Sequence, residues 1–371
     1  MKKSPVTVLF FLPSLARGGQ TNQVFSLANN LDRDRFLPVV LTISSTKVDD
    51  ASSLFATAGI PIYSMGFTRH VSAGAIRQKL IDWVNKLGAG IVHSSGVRCD
   101  YLASSIQRLS ERHCMTIHCT RANDSYGRLG GKLLMGMQRR SIQRCRYPVA
   151  CSYSVAAWYK ERHGYEMKTI TNGIGPVHFG EPDAPCLQVC MVGSLSKLKD
   201  PETVIRSLSL LSSSASCMRL FVFGEGELEA RCREIAGSNI TFMGFQSDVQ
   251  QRLGDYDVLV SASTSEGYPM AVLEGGSSGC FLVLSDIPPH REIVKDGVFG
   301  QLFPIKDYRS LADILNGLDF RELRETRSER ASRFNERHSV NRMAKAYMDL
   351  YSEMLSNSRY TERSPVTEVH V

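Results

Sequence analysis

Two carboxylates eight positions apart, Glu266 and Glu274, stand inside the stretch 257–300, and the pattern around them decides what they could do. Val258, Leu259 and Val260 form a short apolar run that predicts a buried strand, and Ser261 to Ser265 is the loop at its carboxyl end. Glu266-Gly267 closes that loop, Pro269 suits the first turn of a helix, and Met270 to Ser278 continue it. Phe281 to Leu284 is the next strand. Open α/β sheets bind ligands where a strand end, a polar loop and a helix amino terminus meet, because orphan amides and the helix dipole favour anions there. Two carboxylates on this element could hold hydroxyls of one extended ligand and leave the helix start free for its phosphates. Spacing alone equally allows Glu266 to cap the helix and Glu274 to lie on a solvated face.

Other residues of the same kind follow the strand pattern. Val6 to Leu12 is a nearly continuous apolar run, as a parallel strand buried on both faces requires. The loop after it ends in Gly18-Gly19, and paired glycines let a backbone approach a ligand closely. Their order differs from a G-x-G-x-x-G dinucleotide fingerprint, which argues against a dehydrogenase. Met115 to His118 is a strand end that puts His118 at the carboxyl edge, where ligands sit; His93 ends the preceding strand and is the weaker candidate, and either could be structural.

The elements that must hold these residues alternate between strand and helix along most of the chain. Strands are predicted at 36–42, 60–63, 148–152, 187–192, 220–223 and 240–245. Helices are predicted at about 20–31, 73–87, 129–145, 155–163, 201–211, 249–253, 308–318, 321–333 and 338–354. Asn172-Gly173 reads as a sharp turn suited to a hinge, and the Pro- and Gly-rich segment 175–185 as a linker. At 371 residues the chain suits two α/β domains rather than one core.

Charge is uneven. Residues 1–180 hold 23 Lys and Arg against 10 Asp and Glu, while residues 181–371 hold 21 against 27. The segment Arg121 to Arg146 has seven basic residues against the single acid Asp124, interleaved with Leu129, Leu133, Leu134, Met135, Met137 and Ile142. This fits a core-facing helix with a solvated back, or a surface for anionic lipid or a phosphorylated acceptor. Nothing resembles a zinc finger, an RNA-binding aromatic pattern or a basic zipper, so nucleic acid is not expected. Ten scattered cysteines without a C-x-x-C read as small buried residues of a reducing compartment. The first residues could pass for a signal peptide, but Pro13 interrupts a short apolar run, and we read them as the first strand. No run is long enough to cross a bilayer, so membrane contact is expected to be peripheral, on the cytoplasmic face of the inner membrane.

Glu266-Gly-Tyr-Pro-Met-Ala-Val-Leu-Glu274, with Gly279, Glu292-Ile-Val, Asp296-Gly297 and Gly300 after it, resembles the E-x7-E element of the retaining glycosyltransferases of family GT4. Gly18-Gly19, the N-G-I at 172–174, Gly224-Glu-Gly226-Glu227-Leu228 (beside the family's Gly-x-Gly-x-Glu element) and the Phe242-Met-Gly244-Phe loop resemble the family as well. The resemblance covers roughly residues 5–350 and implies an α/β protein of GT-B fold: two Rossmann-like α/β/α domains facing each other across a donor-binding cleft. The implied division is 1–176 as an acceptor-side domain, 186–335 as a nucleotide-sugar domain, 336–355 as a helix crossing back, and 356–371 as a disordered tail.

The resemblance also implies roles. Glu266 would meet the donor sugar and Glu274 the ribose, while the amides of Gly267, Tyr268 and Pro269's neighbourhood approach the diphosphate. Gly18 and Gly19 would lie against phosphate and sugar, Gly244 near the base, and His118 near the reacting centre. Lys199 matches the family's diphosphate-clamping lysine. Ser194 is a departure, since it stands where the family usually has arginine, and a hydroxyl offers neither that charge nor its fork of donors. No metal or other cofactor is implied, since no D-x-D motif sits in a suitably placed loop. The donor would be a nucleoside diphosphate sugar, UDP- or GDP-linked. The acceptor would be an undecaprenyl-diphosphate-linked saccharide or a lipopolysaccharide core, in the assembly of O-antigen, capsule or another surface polysaccharide. A sugar-nucleotide epimerase of the same architecture, or a non-catalytic binding protein given Ser194, are the alternatives.

Overall fold

The computed structural model describes residues 4–45, 51–67, 71–120, 127–175, 177, 179–211, 218–295 and 297–358. Arg121, Asp124, Pro176, Asp296 and the tail beyond residue 358 lie outside them. Contacts divide the chain into two compact units, Met1–Gly173 with Val340–Val371, and Ile174–Ser339.

The first unit holds seven strands: β1 Val6–Leu12, β2 Phe36–Thr42, β3 Ile62–Ser64, β4 Ile91–Ser95, β5 His113–Ile117, β6 Tyr147–Ala150 and β7 Lys168–Thr169. They form one sheet in the order β3-β2-β1-β4-β5-β6-β7, every pairing parallel. Side chains alternate along a strand, so Val8, Phe10 and Leu12 of β1 enter one core and Leu9 and Phe11 the other. All five are buried, and burying each stabilises by about 1.5–3 kcal/mol. The apolar run near the amino terminus is thus the middle of a sheet. The helix Val340–Asn357 covers one face through Met343, Tyr347, Leu350, Tyr351 and Met354, spaced as one helical stripe. Tyr347 Oη lies 2.7 Å from Thr116 Oγ1 and Tyr351 Oη 2.7 Å from His93 Nδ1, so the last helix is keyed to this sheet by polar contacts as well as by packing.

The second unit holds β8 Leu187–Val192, β9 Met218–Phe223, β10 Ile240–Gly244, β11 Val258–Ser261, β12 Phe281–Ser285 and β13 Gly300–Phe303. Their order is β10-β9-β8-β11-β12-β13, again all parallel. Both sheets reverse their strand order at one point, β1/β4 in the first and β8/β11 in the second. Open α/β sheets bind ligands outside the carboxyl ends of the strands at such a point.

Several boundaries differ from the sequence expectations. The division falls at Gly173/Ile174, because the Ile174 amide donates to the His338 carbonyl at 2.8 Å and Ile174 bridges to Ser339. The segment read as a linker belongs to the second unit: a Cβ on Gly180 would stand 2.9 Å from the Gly254 backbone, and Arg327 lies over the Phe179 ring. Residues 249–253 form two 3-10 turns rather than a helix, and 321–333 is split into Phe320–Glu325 and Arg327–Arg337. The last helix runs to Asn357, so Ser356 and Asn357 are helical rather than tail. Sequence patterning missed the helices Ser52–Thr57, Val97–Ser104 and Pro288–Ile293 and the strands β7 and β13.

Candidate active site

The switch point of the second sheet brings together residues far apart in sequence. After β8 the chain passes Gly193 and Ser194 and reaches Lys199; after β11 it passes Ser263 and reaches Glu266. The two loops are stitched together, since Thr264 donates from its amide (2.8 Å) and its hydroxyl (3.2 Å) to the Leu198 carbonyl. Lys199 Nζ then forms an ion pair with Glu266 Oε1, which also accepts from Ser263 Oγ at 2.7 Å. The side chains are 25% and 12% exposed, so the pair is largely out of water but reachable. Burial alone would raise the Glu266 carboxyl, but the Lys199 charge, followed by hydrogen bonds from Lys199 and Ser263, holds it below the usual carboxylate range. Asp200, next to Lys199, has φ of 45°, a left-handed conformation that is costly for a non-glycine residue and commonest at functional sites.

The loop after β8 is built against two glycines. A Cβ on Gly224 would sit 2.0 Å from the Gly193 carbonyl oxygen, and one on Gly226 2.5 Å from that of Leu195. Only glycine fits either position, so the Gly-x-Gly after β9 serves to support the loop carrying Ser194 and Lys199. Ser194 is exposed, its Oγ 3.1 Å from Ser196 Oγ, and Lys197 is exposed beside it. Gly244 ends β10 at φ 67°, and its carbonyl accepts the Gly224 amide at 2.8 Å.

The helix Met270–Ser277 follows Gly267, Tyr268 and Pro269, all buried, with Pro269 at the N-cap position rather than inside the first turn. Tyr268 Oη faces His338 Nδ1 at 3.2 Å. Glu274 is on this helix and 3% exposed, so the solvated-face alternative is excluded; its Oε1 accepts from Gln250 Nε2. The helix is fixed by tight packing, since a Cβ on Gly275 would meet Leu259 at 2.5 Å and one on Gly276 would meet Phe334 at 2.4 Å. Its carboxyl end is clamped by two buried arginines. Arg327 Nη2 donates to the carbonyls of Ser278 (2.7 Å) and Gly254 (2.8 Å), and Arg330 Nη2 donates to that of Gly279 at 2.8 Å.

In the first unit, the switch point gathers Gly18, Gly19 and His118. Gly18 and Gly19 are exposed at the start of the helix Gly19–Asn29. Beside them is Gly96, at φ 102°, where a Cβ would meet Gln20 Nε2 at 3.0 Å and Pro13 at 3.1 Å. His118 Nε2 lies 2.8 Å from Ser95 Oγ, and burial lowers the imidazole to about 4, so the ring is neutral at neutral pH. His93 belongs instead to the core: both nitrogens are engaged at 2.7 Å, by Tyr351 and Thr116, and burial lowers it to about 3. Ser263, Gln250 and the glycines of the supporting loops escaped the sequence reading as site residues; the serine-rich loop was the one visible signal.

Two all-parallel α/β units, each with a glycine-supported loop at its switch point, and one presenting a lysine–glutamate pair ahead of a buried second glutamate, are the architecture of the GT-B fold. The comparisons agree. The model of Glycosyltransferase Family 4 matches residues 17–176, that of Glycosyl transferases group 1 matches residues 187–318, and the chain belongs to this GT4-type family. The glycosyltransferase EpsD of Bacillus subtilis is 32% identical over 41% of this chain and 43% of its own length. A GDP-mannose:cellobiosyl-diphosphopolyprenol alpha-mannosyltransferase of Komagataeibacter xylinus is 25% identical over 43% of this chain and 44% of its own. These alignments thus span less than half the length of either relative. Among solved structures, HepE of Anabaena in complex with UDP-glucose superposes with a TM-score of 0.77 at 17% identity, over 94% of this chain and 99% of that one, a likeness of fold.

Proposed function

We propose that this chain is a retaining glycosyltransferase that moves a sugar from a nucleoside diphosphate sugar to a hydroxyl of a lipid-linked saccharide in surface-polysaccharide assembly (O-antigen, capsule or lipopolysaccharide). The observation that carries the reading is the Lys199–Glu266 pair beside the amino terminus of the helix that bears Glu274. In this reading the acceptor oxygen attacks the anomeric carbon as its bond to the diphosphate breaks on the same face, and the acceptor proton passes to the leaving phosphate. Negative charge builds on that phosphate, where Lys199 and the amides following Glu266 stabilise it without a metal. Glu266 accepts from sugar hydroxyls and Glu274 from the ribose. The UDP-glucose held by HepE and the donor and acceptor in the Komagataeibacter enzyme's name support this chemistry for a relative of this chain.

The acceptor side rests on the helix Gly127–Arg144. Leu129 and Leu133 are 83% and 68% exposed, and Lys132, Arg139, Arg140 and Arg144 are exposed with them. Apolar side chains flanked by cations suit the surface of an anionic bilayer, where each basic residue contributes about 1 kcal/mol. Among the described residues no helix is long and apolar enough to cross a membrane. The reading is tested by a panel of UDP-, GDP-, dTDP- and ADP-sugars scored for thermal stabilisation. One donor should raise Tm in wild type and fail to do so in Glu274→Ala; a flat panel would overturn the donor reading.

A further inference from the structure

Behind the Lys199–Glu266 pair lies a buried imidazole that the proposed reaction does not use. His290 is fully buried. Its Nδ1 lies 2.8 Å from the Ser285 carbonyl oxygen and 3.2 Å from the Ser285 hydroxyl oxygen. That hydroxyl donates its own hydrogen to the Ser263 carbonyl at 2.6 Å, so both Ser285 oxygens accept and Nδ1 carries the ring hydrogen. Nε2 is therefore a bare lone pair, buried and without a hydrogen-bond partner. A buried acceptor left unpaired is costly and marks either strain or a role.

The charged groups acting on the ring from the neighbouring loops are Glu266, which favours a proton there, and Lys199, which opposes one. The effect is mutual, since a proton on His290 would in turn hold the Glu266 carboxyl down. On the short helix that bears His290, Arg291 is committed to Asp286 at 2.5 and 2.9 Å. Burial dominates in the unliganded protein and keeps the ring neutral, with its pKa lowered to about 4. The same serine path that fixes His290 also reaches Glu266, because Ser263 Oγ donates to the carboxylate at 2.7 Å.

We propose that His290 is a proton-linked positioning residue: when the donor diphosphate draws Lys199 away from Glu266, His290 Nε2 takes a proton from solvent and replaces the lysine as counter-charge to that carboxylate. The proposal rests on the reading that Lys199 meets the diphosphate and Glu266 the sugar. Lys199 keeps its own proton and only changes partner, and the one new bond is Nε2–H. Glu266 thus stays with the sugar instead of following the ammonium. The sign follows from linkage: a group whose pKa rises on binding makes binding tighter as pH falls from the complex's pKa toward that of the free protein, by at most about tenfold per pH unit for one proton.

Two measurements test this. The first needs no ligand: the His290 ring in 15N-histidine-labelled protein is titrated by NMR in wild type, Lys199→Met and Lys199→Met/Glu266→Gln. Lys199→Met should raise the His290 pKa, and adding Glu266→Gln should cancel the rise. An unchanged pKa in Lys199→Met overturns the coupling whether or not any donor binds. The second is calorimetry with UDP-glucose and GDP-mannose, whose phosphates do not titrate near neutrality, in buffers of different ionisation enthalpy. The sugar nucleotide that binds should carry up to one proton into the wild-type complex and none into His290→Asn, which keeps a donor toward Ser285. Binding without proton uptake between pH 5 and 7 overturns the proposal and leaves the donor reading standing, whereas no binding of any sugar nucleotide removes both.

Discussion

Glu266→Gln should separate two ligands that otherwise bind alike. The amide keeps the shape of the carboxylate and removes its charge. In the unliganded protein that charge is shared between Lys199 and Ser263, so a nucleoside diphosphate must win Lys199 away from it. With glutamine in place the lysine is free, and the bare nucleoside diphosphate should bind as well as to wild type or more tightly. The sugar nucleotide loses a hydrogen bond to an ionised acceptor, worth about 1.5–3 kcal/mol. That corresponds to a Kd increase of roughly 10- to 150-fold. Lys199→Met should instead weaken both ligands alike, because the contact it removes is to the phosphates common to both. Titration calorimetry of the two ligands against wild type and each variant reads this directly. Equal weakening of both ligands by Glu266→Gln would place Glu266 away from the sugar and refute the assignment.

Other consequences are as specific. Glu274→Ala should weaken nucleotide binding with or without the sugar, and Gln250→Ala, which removes its partner, should do so by less; fluorescence titration with a nucleotide analogue would show it. Ser194→Arg should preserve or tighten donor binding if the exposed hydroxyl is a simple loss of charge, and binding that falls while the fold is kept would show a rebuilt loop. Wild type should float with anionic vesicles at low salt, whereas Arg139→Glu/Arg140→Glu/Arg144→Glu should remain in solution with donor binding intact. The protein should also lose stability below about pH 6.5, above the usual carboxylate range. Burial lowers His93, His113 and His338 to about 3 and His118 and His290 to about 4, so the unfolded chain binds protons that the folded one refuses. Each can contribute roughly 1.4 kcal/mol per pH unit until its folded pKa is reached. Asp100, raised to about 7 by burial, acts in the opposite sense, losing its contribution as pH rises, but is one group against five. Urea denaturation at pH 7.5, 6 and 5 would measure the slope.

The strands that build both sheets were legible because parallel strands buried on two faces leave apolar runs such as Val6 to Leu12 and Leu187 to Val192. What failed was local. The helix Val97–Ser104 is only eight residues long, Arg98 and Asp100 interrupt its apolar pattern, and its place is set by burying Cys99, Asp100 and Leu102. The helix expected over 321–333 is interrupted at Thr326, whose amide ends one helix by donating to the Glu322 carbonyl while its own carbonyl begins the next. At the site, Glu266 and Glu274 were visible from their place between strand and helix. Lys199 was visible by resemblance, but its pairing with Glu266 was not, because the two are 67 residues apart and meet only through the adjacency of β8 and β11. Nor does sequence spacing separate His93 from His118. Both were expected at a strand end, but His93 sits in the middle of β4, sealed by Tyr347 and Tyr351, whereas His118 follows β5 and is hydrogen-bonded to Ser95.

The central claim is sugar transfer with retention, and the most direct measurement is the anomeric configuration of the product. A 13C-labelled donor chosen from the stabilisation panel is incubated with a polyprenyl-diphosphate saccharide acceptor, and the new glycosidic carbon is followed by NMR. The account predicts one new glycosidic bond with the same anomeric configuration as the donor, its formation lost in Lys199→Met and unaffected by EDTA. An inverted product, or transfer that persists at the wild-type rate in Lys199→Met, would contradict it.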